Sequence, residues 1–251
     1  MKIIWIFIKG KTQYGWVNNE EVGLIEGDLF SEFRRLETEI PIDRVTLLTP
    51  VIPEKIICVA RNYEEHAREH QVETPTYPMI FLKPPSALIG SGEPIRIPPQ
   101  SQQVEHEAEL AVVIGKPGKW IEPADVSKHI LGYTIANDVT ARDLQYKDGQ
   151  WTRAKGFDTF CPLGPWIETE LDPSDLMISC RVNGELRQMS STKEMIFPIN
   201  QLVSYISTIM TLNAGDVILT GTPAGVDKLE GGDVVEISIE GVGTLVNPVS
   251  V

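Results

Sequence analysis

The sequence predicts an α+β fold, mainly β, built as a sandwich or roll behind a small β-rich N-terminal lead-in. Three observations predict it. Short apolar runs of strand length recur along the chain, separated by turns drawn from 20 Gly and 18 Pro in 251 residues. A single segment, 198–210, carries a sustained helical stripe, and Asn183-Gly184 is the strongest hairpin signal present. Many short strands with few helices argue for a β sandwich or roll.

Length and charge bound the function. A chain of 251 residues can bury a substantial core as one large domain, or as a main domain with a small accessory one. Its 35 acidic against 22 basic residues give a net charge of -13, which repels nucleic acid and anionic membranes and excludes both as partners. A local basic pocket for a small anion is still allowed. No stretch has the length of a membrane span, and Ile3–Ile8 is too short for a signal peptide, so a cytoplasmic location is expected. Cys58, Cys161 and Cys180 are odd in number and unevenly spaced, and read as buried reduced thiols with no zinc pattern.

Taken in order, residues 1–50 hold apolar runs at 3–8, 14–17 and 22–25, the last followed by the turn Glu26-Gly27-Asp28. Pro50 and Pro53 flank Val51-Ile52 and punctuate a boundary, which places a main domain over 51–251. Ile56–Ala60 reads as a buried strand, and Arg61-Asn62-Tyr63 leads into a polar helix-former run at 64–70. Met79–Leu82 is a strand ending at Lys83-Pro84-Pro85. Residues 104–115 form a further strand, Pro123–Val126 a short helix start, and Gly132–Asp138 a strand that delivers Asp138 at its end, followed by a helical turn over 140–145. The hairpin at 183–184, the helix 198–210 with Ile199, Leu202, Val203, Ile206 and Ile209 as its core stripe, and strands at 217–220, 234–239 and 243–246 complete the chain.

Chemistry concentrates in a few places. Within 104–115, alternation puts Glu107 and Glu109 on one face and Ala108, Leu110, Val112 and Ile114 on the other, toward a core. Two acids side by side on a half-buried face need compensation, which a hard divalent cation would provide; a solvated edge strand is the competing reading. Asp138 is a third carboxylate in apolar sequence, and the three suit Mg²⁺, Mn²⁺ or Ca²⁺, although Asp138 can equally cap the turn that follows it. His66 and Glu69 share a helical face and can pair as a base dyad, or lie on a plain surface helix. Lys83, Arg142 and Lys155 stand beside strand ends, where they bind a substrate carboxylate or are simply solvated. The turn 221–226 lacks the Gly-Lys-Ser/Thr ending of a phosphate loop, and Thr222 is its usable hydroxyl. His70, His106 and His129 are given no part in chemistry.

These segments together resemble the fumarylacetoacetate hydrolase family. The resemblance lies in Arg61-Asn62-Tyr63 with a nearby His, Phe81-Leu82-Lys83-Pro84, Glu107-Ala108-Glu109-Leu110, Gly132-Tyr133 through Asn137-Asp138-Val139-Thr140-Ala141-Arg142-Asp143, Lys155-Gly156-Phe157-Asp158, and Gly221-Thr222-Pro223-Ala224-Gly225-Val226, in the family's order. It covers roughly residues 55 to 250, and the lead-in carries no motif matched to it. Ala60 stands where a Gly usually precedes Arg-Asn-Tyr, and His106 where a Tyr usually precedes the first metal Glu; by alternation His106 faces away from the metal. Glu105 shares the parity of Glu107 but falls outside the family pattern and is expected near the strand's exposed start.

The compact members that the chain resembles are acylpyruvate hydrolases, oxaloacetate decarboxylases and the isomerase/decarboxylases of homoprotocatechuate breakdown. The resemblance implies a β-sandwich roll of the family's C-terminal-domain type, homodimeric, with Mg²⁺ or Mn²⁺ on Glu107, Glu109 and Asp138. It implies further that His66 and Glu69 sit on a lid, that Lys155 polarises the reacting group, and that Arg142, Gln145 and Thr222 contact a small 2-oxo acid. The expected activity runs through a metal-stabilised enolate to C–C hydrolysis of acylpyruvates or decarboxylation of oxaloacetate. The alternatives are an isomerase of the 2-hydroxyhepta-2,4-diene-1,7-dioate type and a non-catalytic protein that binds metal and 2-oxo acid.

Overall fold

In the computed structural model, which describes every residue except His70, the strands form a twelve-stranded sheet, a five-stranded sheet and a two-stranded pair. The lead-in is an antiparallel meander of β1 (Lys2–Ile8), β2 (Lys11–Asn18), β3 (Glu21–Gly27) and β4 (Phe33–Pro41), with β5 (Thr46–Leu48) returning to β1. β4 has no apolar run because it is a sheet edge whose charged side chains face solvent, so the sequence reading passed over it. β1 also pairs with β14 (Cys161–Glu168), placing Lys2 opposite Glu168, so the lead-in extends the main sheet.

Beyond β14 the large sheet continues through β12 (Ile130–Asn137), β11 (Ala108–Ile114), β17 (Val217–Leu219), β6 (Ile56–Ala60) and β7 (Met79–Lys83), with β8 (Leu88–Ile89) alongside β14. β17 and β6 run parallel, while β11 is antiparallel to both of its neighbours. The smaller sheet has the order β16 (Glu185–Ser191), β15 (Met177–Val182), β18 (Val234–Ile239), β19 (Gly243–Ser250), β9 (Ile95–Arg96). Between the sheets, Leu110, Val112 and Ile135 share a core with Ile178, Ile237 and Leu245. Ala111, Val113, Cys58 and Leu163 belong to a second core. β11 is therefore buried on both faces, where the alternation alone predicted one.

Among the described residues four α-helices connect these layers: α1 (Glu64–Glu69), α2 (Arg142–Asp148), α3 (Thr152–Lys155) and α4 (Ile199–Ile209). α4 buries Ile199, Leu202, Val203 and Ile206 as its spacing predicts, while Ile209 at its end is 49% exposed. Each fully buried aliphatic side chain of this kind stabilises the fold by about 1.5–3 kcal/mol. The β15–β16 hairpin turns through Asn183 and Gly184 at φ 53° and 81°, the positive pair that a type I′ turn requires.

Two local readings change. Thr140-Ala141 is not helical: it forms β13, pairing with β10 (Val104–Glu105), and the helix starts at Arg142. The strand expected over 104–115 is in two pieces, interrupted at His106-Glu107. All three cysteines are buried and free. Among the described residues no helix is long and apolar enough to cross a membrane. His70 lies outside the described residues.

Candidate active site

The interruption between β10 and β11 places Glu107, and Glu109 follows two residues later on the same face of β11. Across the ladder Ala108 pairs with Asn137, so Asp138 emerges from β12 beside Glu107. Two bonds fix this corner: the Asp138 N–H donates to the Glu107 carbonyl at 2.9 Å, and the Glu107 N–H to Asn137 Oδ1 at 2.9 Å. The three carboxylates are buried, with ligand oxygens all within 4.8 Å of one another. The wet-edge reading of the Glu-x-Glu pair fails because β11 lies inside the sheet, and Asp138 makes no cap, since the cap position of α2 is Ala141.

Three buried cations surround the triad. Lys155 Nζ bridges Glu107 Oε2 at 2.8 Å and Asp138 Oδ2 at 2.6 Å. Lys83 Nζ donates to Asp138 Oδ1 at 2.7 Å and to the Val139 carbonyl at 3.1 Å. Arg142 reaches Glu107 Oε1 through Nη2 at 2.5 Å and Glu105 Oε2 through Nε at 2.7 Å. Glu105 is thus not at an exposed strand start. Its β13 pairing buries it to 5% exposure, where it anchors Arg142.

Among the described residues four buried carboxylates therefore face three cations, and the excess falls on Glu109, whose one hydrogen-bond partner there is the Gly221 N–H at 2.6 Å. Burial, followed by the charges of Asp138 and Glu107, pushes the Glu109 carboxyl well above the usual carboxylate range. Burial would raise Glu107 too, but Lys155 and Arg142 outweigh it and hold Glu107 well below that range. Burial would likewise lower Lys155, and the carboxylates of Asp138 and Glu107 instead raise it, so it is a fixed donor and not a base at neutral pH. An all-oxygen donor set short of one positive charge fits a hard divalent cation, with Glu107, Glu109 and Asp138 as its ligands.

A cavity of about 60 Å³ lies over the triad, bordered among others by His66, Arg142, Gln145, Lys155 and Thr222. His66, on α1, is 6% exposed, and its Nδ1 faces Glu69 Oε2 at 3.3 Å. The Gly225 N–H donates to both Glu69 oxygens, Oε1 at 3.1 Å and Oε2 at 3.3 Å, tying α1 to the 221–226 turn. Gly225 has φ +99°, and a Cβ there would sit 2.1 Å from the Arg187 carbonyl oxygen, so only glycine makes this tie. Gln145 Oε1 accepts from Arg142 Nη1 at 2.6 Å, which leaves its amide N–H groups to donate. Lys83, expected to bind substrate, does not border the cavity; its ammonium sits behind Asp138.

Sequence reasoning passed over several residues. Gln188, on β16 and fully buried, accepts the Ala108 N–H at 3.0 Å and faces His106 Nδ1 at 3.0 Å, and its Nε2 donates to Thr222 Oγ1 and the Pro223 carbonyl, both at 2.8 Å. The two backbone partners fix the amide orientation, so Thr222 Oγ1 accepts from Gln188 and its own O–H is turned to another acceptor. His106 faces Gln188 and not the carboxylates. Asn62 locks the chain before α1: its Nδ2 donates to the Phe197 and Thr220 carbonyls at 3.0 and 2.8 Å, and its Oδ1 accepts the Phe197 N–H at 2.8 Å. Arg61, Phe81 and Trp151 also border the cavity. The Arg-Asn-Tyr motif marked Arg61 and Asn62 in the sequence, whereas nothing local to Gln188 or Trp151 marked either.

Comparison with known proteins agrees with this geometry. Residues 55–250 match the family Fumarylacetoacetate (FAA) hydrolase C-terminal, and residues 1–50, which carried no recognised motif, match Rv2993c-like, N-terminal. The chain is 58% identical over 195 residues to protein MJ1656 of Methanocaldococcus jannaschii, covering 78% of this chain and 82% of the relative. It is 47% identical over 232 residues to the mitochondrial oxaloacetate tautomerase FAHD2B of Bos taurus, covering 86% and 74% respectively. Among solved structures, 2-hydroxyhepta-2,4-diene-1,7-dioate isomerase from Mycobacterium marinum superposes with a TM-score of 0.93 at 44% identity, over 100% of this chain and 98% of that one. With its roll, its buried acidic triad and its motifs in order, this chain belongs to the fumarylacetoacetate hydrolase family.

Proposed function

We propose that this chain is a divalent-cation-dependent enzyme that moves a proton at C3 of a small 2-oxo acid, interconverting keto and enol forms. The observation that carries the proposal is the division of labour around one cavity. Lys155 is locked as a cation between Glu107 and Asp138, and His66 is the remaining base over the same space. Mg²⁺, or alternatively Mn²⁺ or Ca²⁺, held by Glu107, Glu109 and Asp138, would supply Lewis-acid polarisation of the substrate's carboxylate and 2-oxo oxygens.

The protein's own groups do the rest. Glu69 orients the imidazole through Nδ1, and Nε2 takes the C3 proton and returns it. The Lys155 ammonium donates to the oxygen that gains charge as the proton leaves. Arg142, the Gln145 amide and the Thr222 hydroxyl hold the substrate's carboxylate, and α1 excludes water while tied down through Gly225. Proton transfer is favoured over cleavage because an oxaloacetate tautomerase and a dienedioate isomerase are 47% and 44% identical to this chain, against 37% for a fumarylacetoacetate hydrolase of the same fold.

Product analysis of acetylpyruvate, oxaloacetate and 2-hydroxyhepta-2,4-diene-1,7-dioate, each with and without Mg²⁺, tests the proposal. It predicts Mg²⁺-dependent tautomer or double-bond interconversion. Release of acetate or CO₂ at the same rate would move the chain to hydrolysis or decarboxylation, and binding without product would make it a non-catalytic binder.

A further inference from the structure

We infer that Arg61 reads the far carboxylate of the substrate, so that the site takes dicarboxylic 2-oxo acids; the inference rests on the 2-oxo acid function proposed above. The cavity's other cations each already pair with two carboxylates of the chain. Lys155 is shared between Glu107 and Asp138, and Arg142 between Glu107 and Glu105. Arg61 borders the same cavity, and among the described residues it has no carboxylate partner; its guanidinium lies over the Trp151 ring, with Cζ 6.0 Å from the ring centroid. In a chain with 35 acidic against 22 basic residues, a half-buried guanidinium without an acid is set apart for an anion from outside.

The backbone holds it there. Arg61 has φ 57°, a left-handed conformation that is uncommon for a residue with a side chain. It persists because the next residue, Asn62, is fully buried and fastened by three side-chain hydrogen bonds to Phe197 and Thr220. The aromatic partner is equally fixed. Trp151 packs edge-on against Phe81 with centroids 5.3 Å apart, and Lys155 Nζ lies 5.1 Å from the Phe81 ring. The Trp151 carbonyl accepts the Lys155 N–H at 3.0 Å. One aromatic pair thus carries a cation for each end of a substrate: Lys155 for the reacting 2-oxo group, and Arg61 for a carboxylate at the far end. The planar fork of Arg61 suits a carboxylate in a way that a lysine would not.

Titration calorimetry on the Mg²⁺-loaded full chain tests this with three probes: oxalate, which has only the head group; oxaloacetate; and 4-methyl-2-oxopentanoate, in which an uncharged isopropyl group replaces the far carboxylate. Wild type should bind oxaloacetate tighter than 4-methyl-2-oxopentanoate. Arg61→Gln should weaken oxaloacetate by about 10- to 100-fold, as expected for a lost charge-assisted hydrogen bond, and leave oxalate and 4-methyl-2-oxopentanoate unchanged. Arg61→Lys should recover part of the loss. Equal weakening of all three probes, or none, would overturn the role of Arg61. A wild type that takes up none of the three would overturn the 2-oxo acid function itself. The oxalate measurement doubles as the check that each variant is folded.

Discussion

Glu109→Gln should separate the site's cost to folding from its use in binding a cation. Its carboxylate shares with Glu107 and Asp138 a cluster whose ligand oxygens lie within 4.8 Å of one another. At that separation two charges repel by about 3–4 kcal/mol at an effective dielectric of about 20. Among the described residues Glu109 has only the Gly221 N–H against it, at 2.6 Å. An amide of the same shape can still accept that N–H and can donate to a neighbouring carboxylate. Burying the polar amide offsets part of the lost repulsion, so the metal-free variant should be more stable by about 1–2 kcal/mol. In a chain of this size that raises Tm by about 2–8 °C. Mg²⁺ should act in the opposite sense: at a hundredfold excess over Kd it stabilises the wild type by about 2.7 kcal/mol, or about 5–10 °C, and the variant hardly at all. Differential scanning calorimetry in EDTA and in Mg²⁺ measures both. A variant that melts several degrees lower in EDTA and keeps the full Mg²⁺ shift would refute the triad as a cation site.

Lys155→Met removes the one cation shared by Glu107 and Asp138, and should cost about 3–5 kcal/mol in urea denaturation of the metal-free protein and about 10²–10³ in kcat. Gln188→Leu strands the Ala108 N–H and the Pro223 carbonyl and frees the Thr222 hydroxyl to rotate. A stability loss of about 2–4 kcal/mol is expected, with KM raised more than kcat is lowered in steady-state kinetics. Asp143 accepts from Ser101 Oγ at 2.6 Å and from the Gln102 N–H at 2.9 Å; burial alone would raise its carboxyl, but these bonds outweigh burial and lower it. Its contribution is therefore present above an unfolded value of about 3.9 and lost as pH falls through the lower folded value. Asp143→Asn should flatten the acid limb of a Tm-against-pH curve.

How much of this was legible in the sequence depends on the range of the contacts involved. The Glu107/Glu109 pairing follows from strand alternation, and the α4 stripe and the Asn183-Gly184 turn follow from equally local rules. Whether the acids were wet or buried was set by β12 and β17, which no local pattern could place. The same limit explains Glu105. It looked exposed from its position alone, and it is buried because β13 and Arg142, 37 residues away, cover it. Thr140-Ala141 looked helical beside a helix-forming run, yet pairing with β10 overrides that propensity. Asn62 was marked by its motif but not its partners, up to 158 residues distant, and Gln188, 82 residues from His106, was marked by nothing near it in the chain.

The most direct test of the central claim is proton–deuteron exchange at C3 of oxaloacetate in D₂O, followed by NMR. Wild type with Mg²⁺ should exchange C3 well above the buffer rate, EDTA should remove the excess, and His66→Asn should lower it by about 10²–10⁴-fold while leaving the Mg²⁺-induced shift in Tm intact. Exchange that persists undiminished in EDTA, or in His66→Asn, would contradict a cation-assisted proton transfer with His66 as its base.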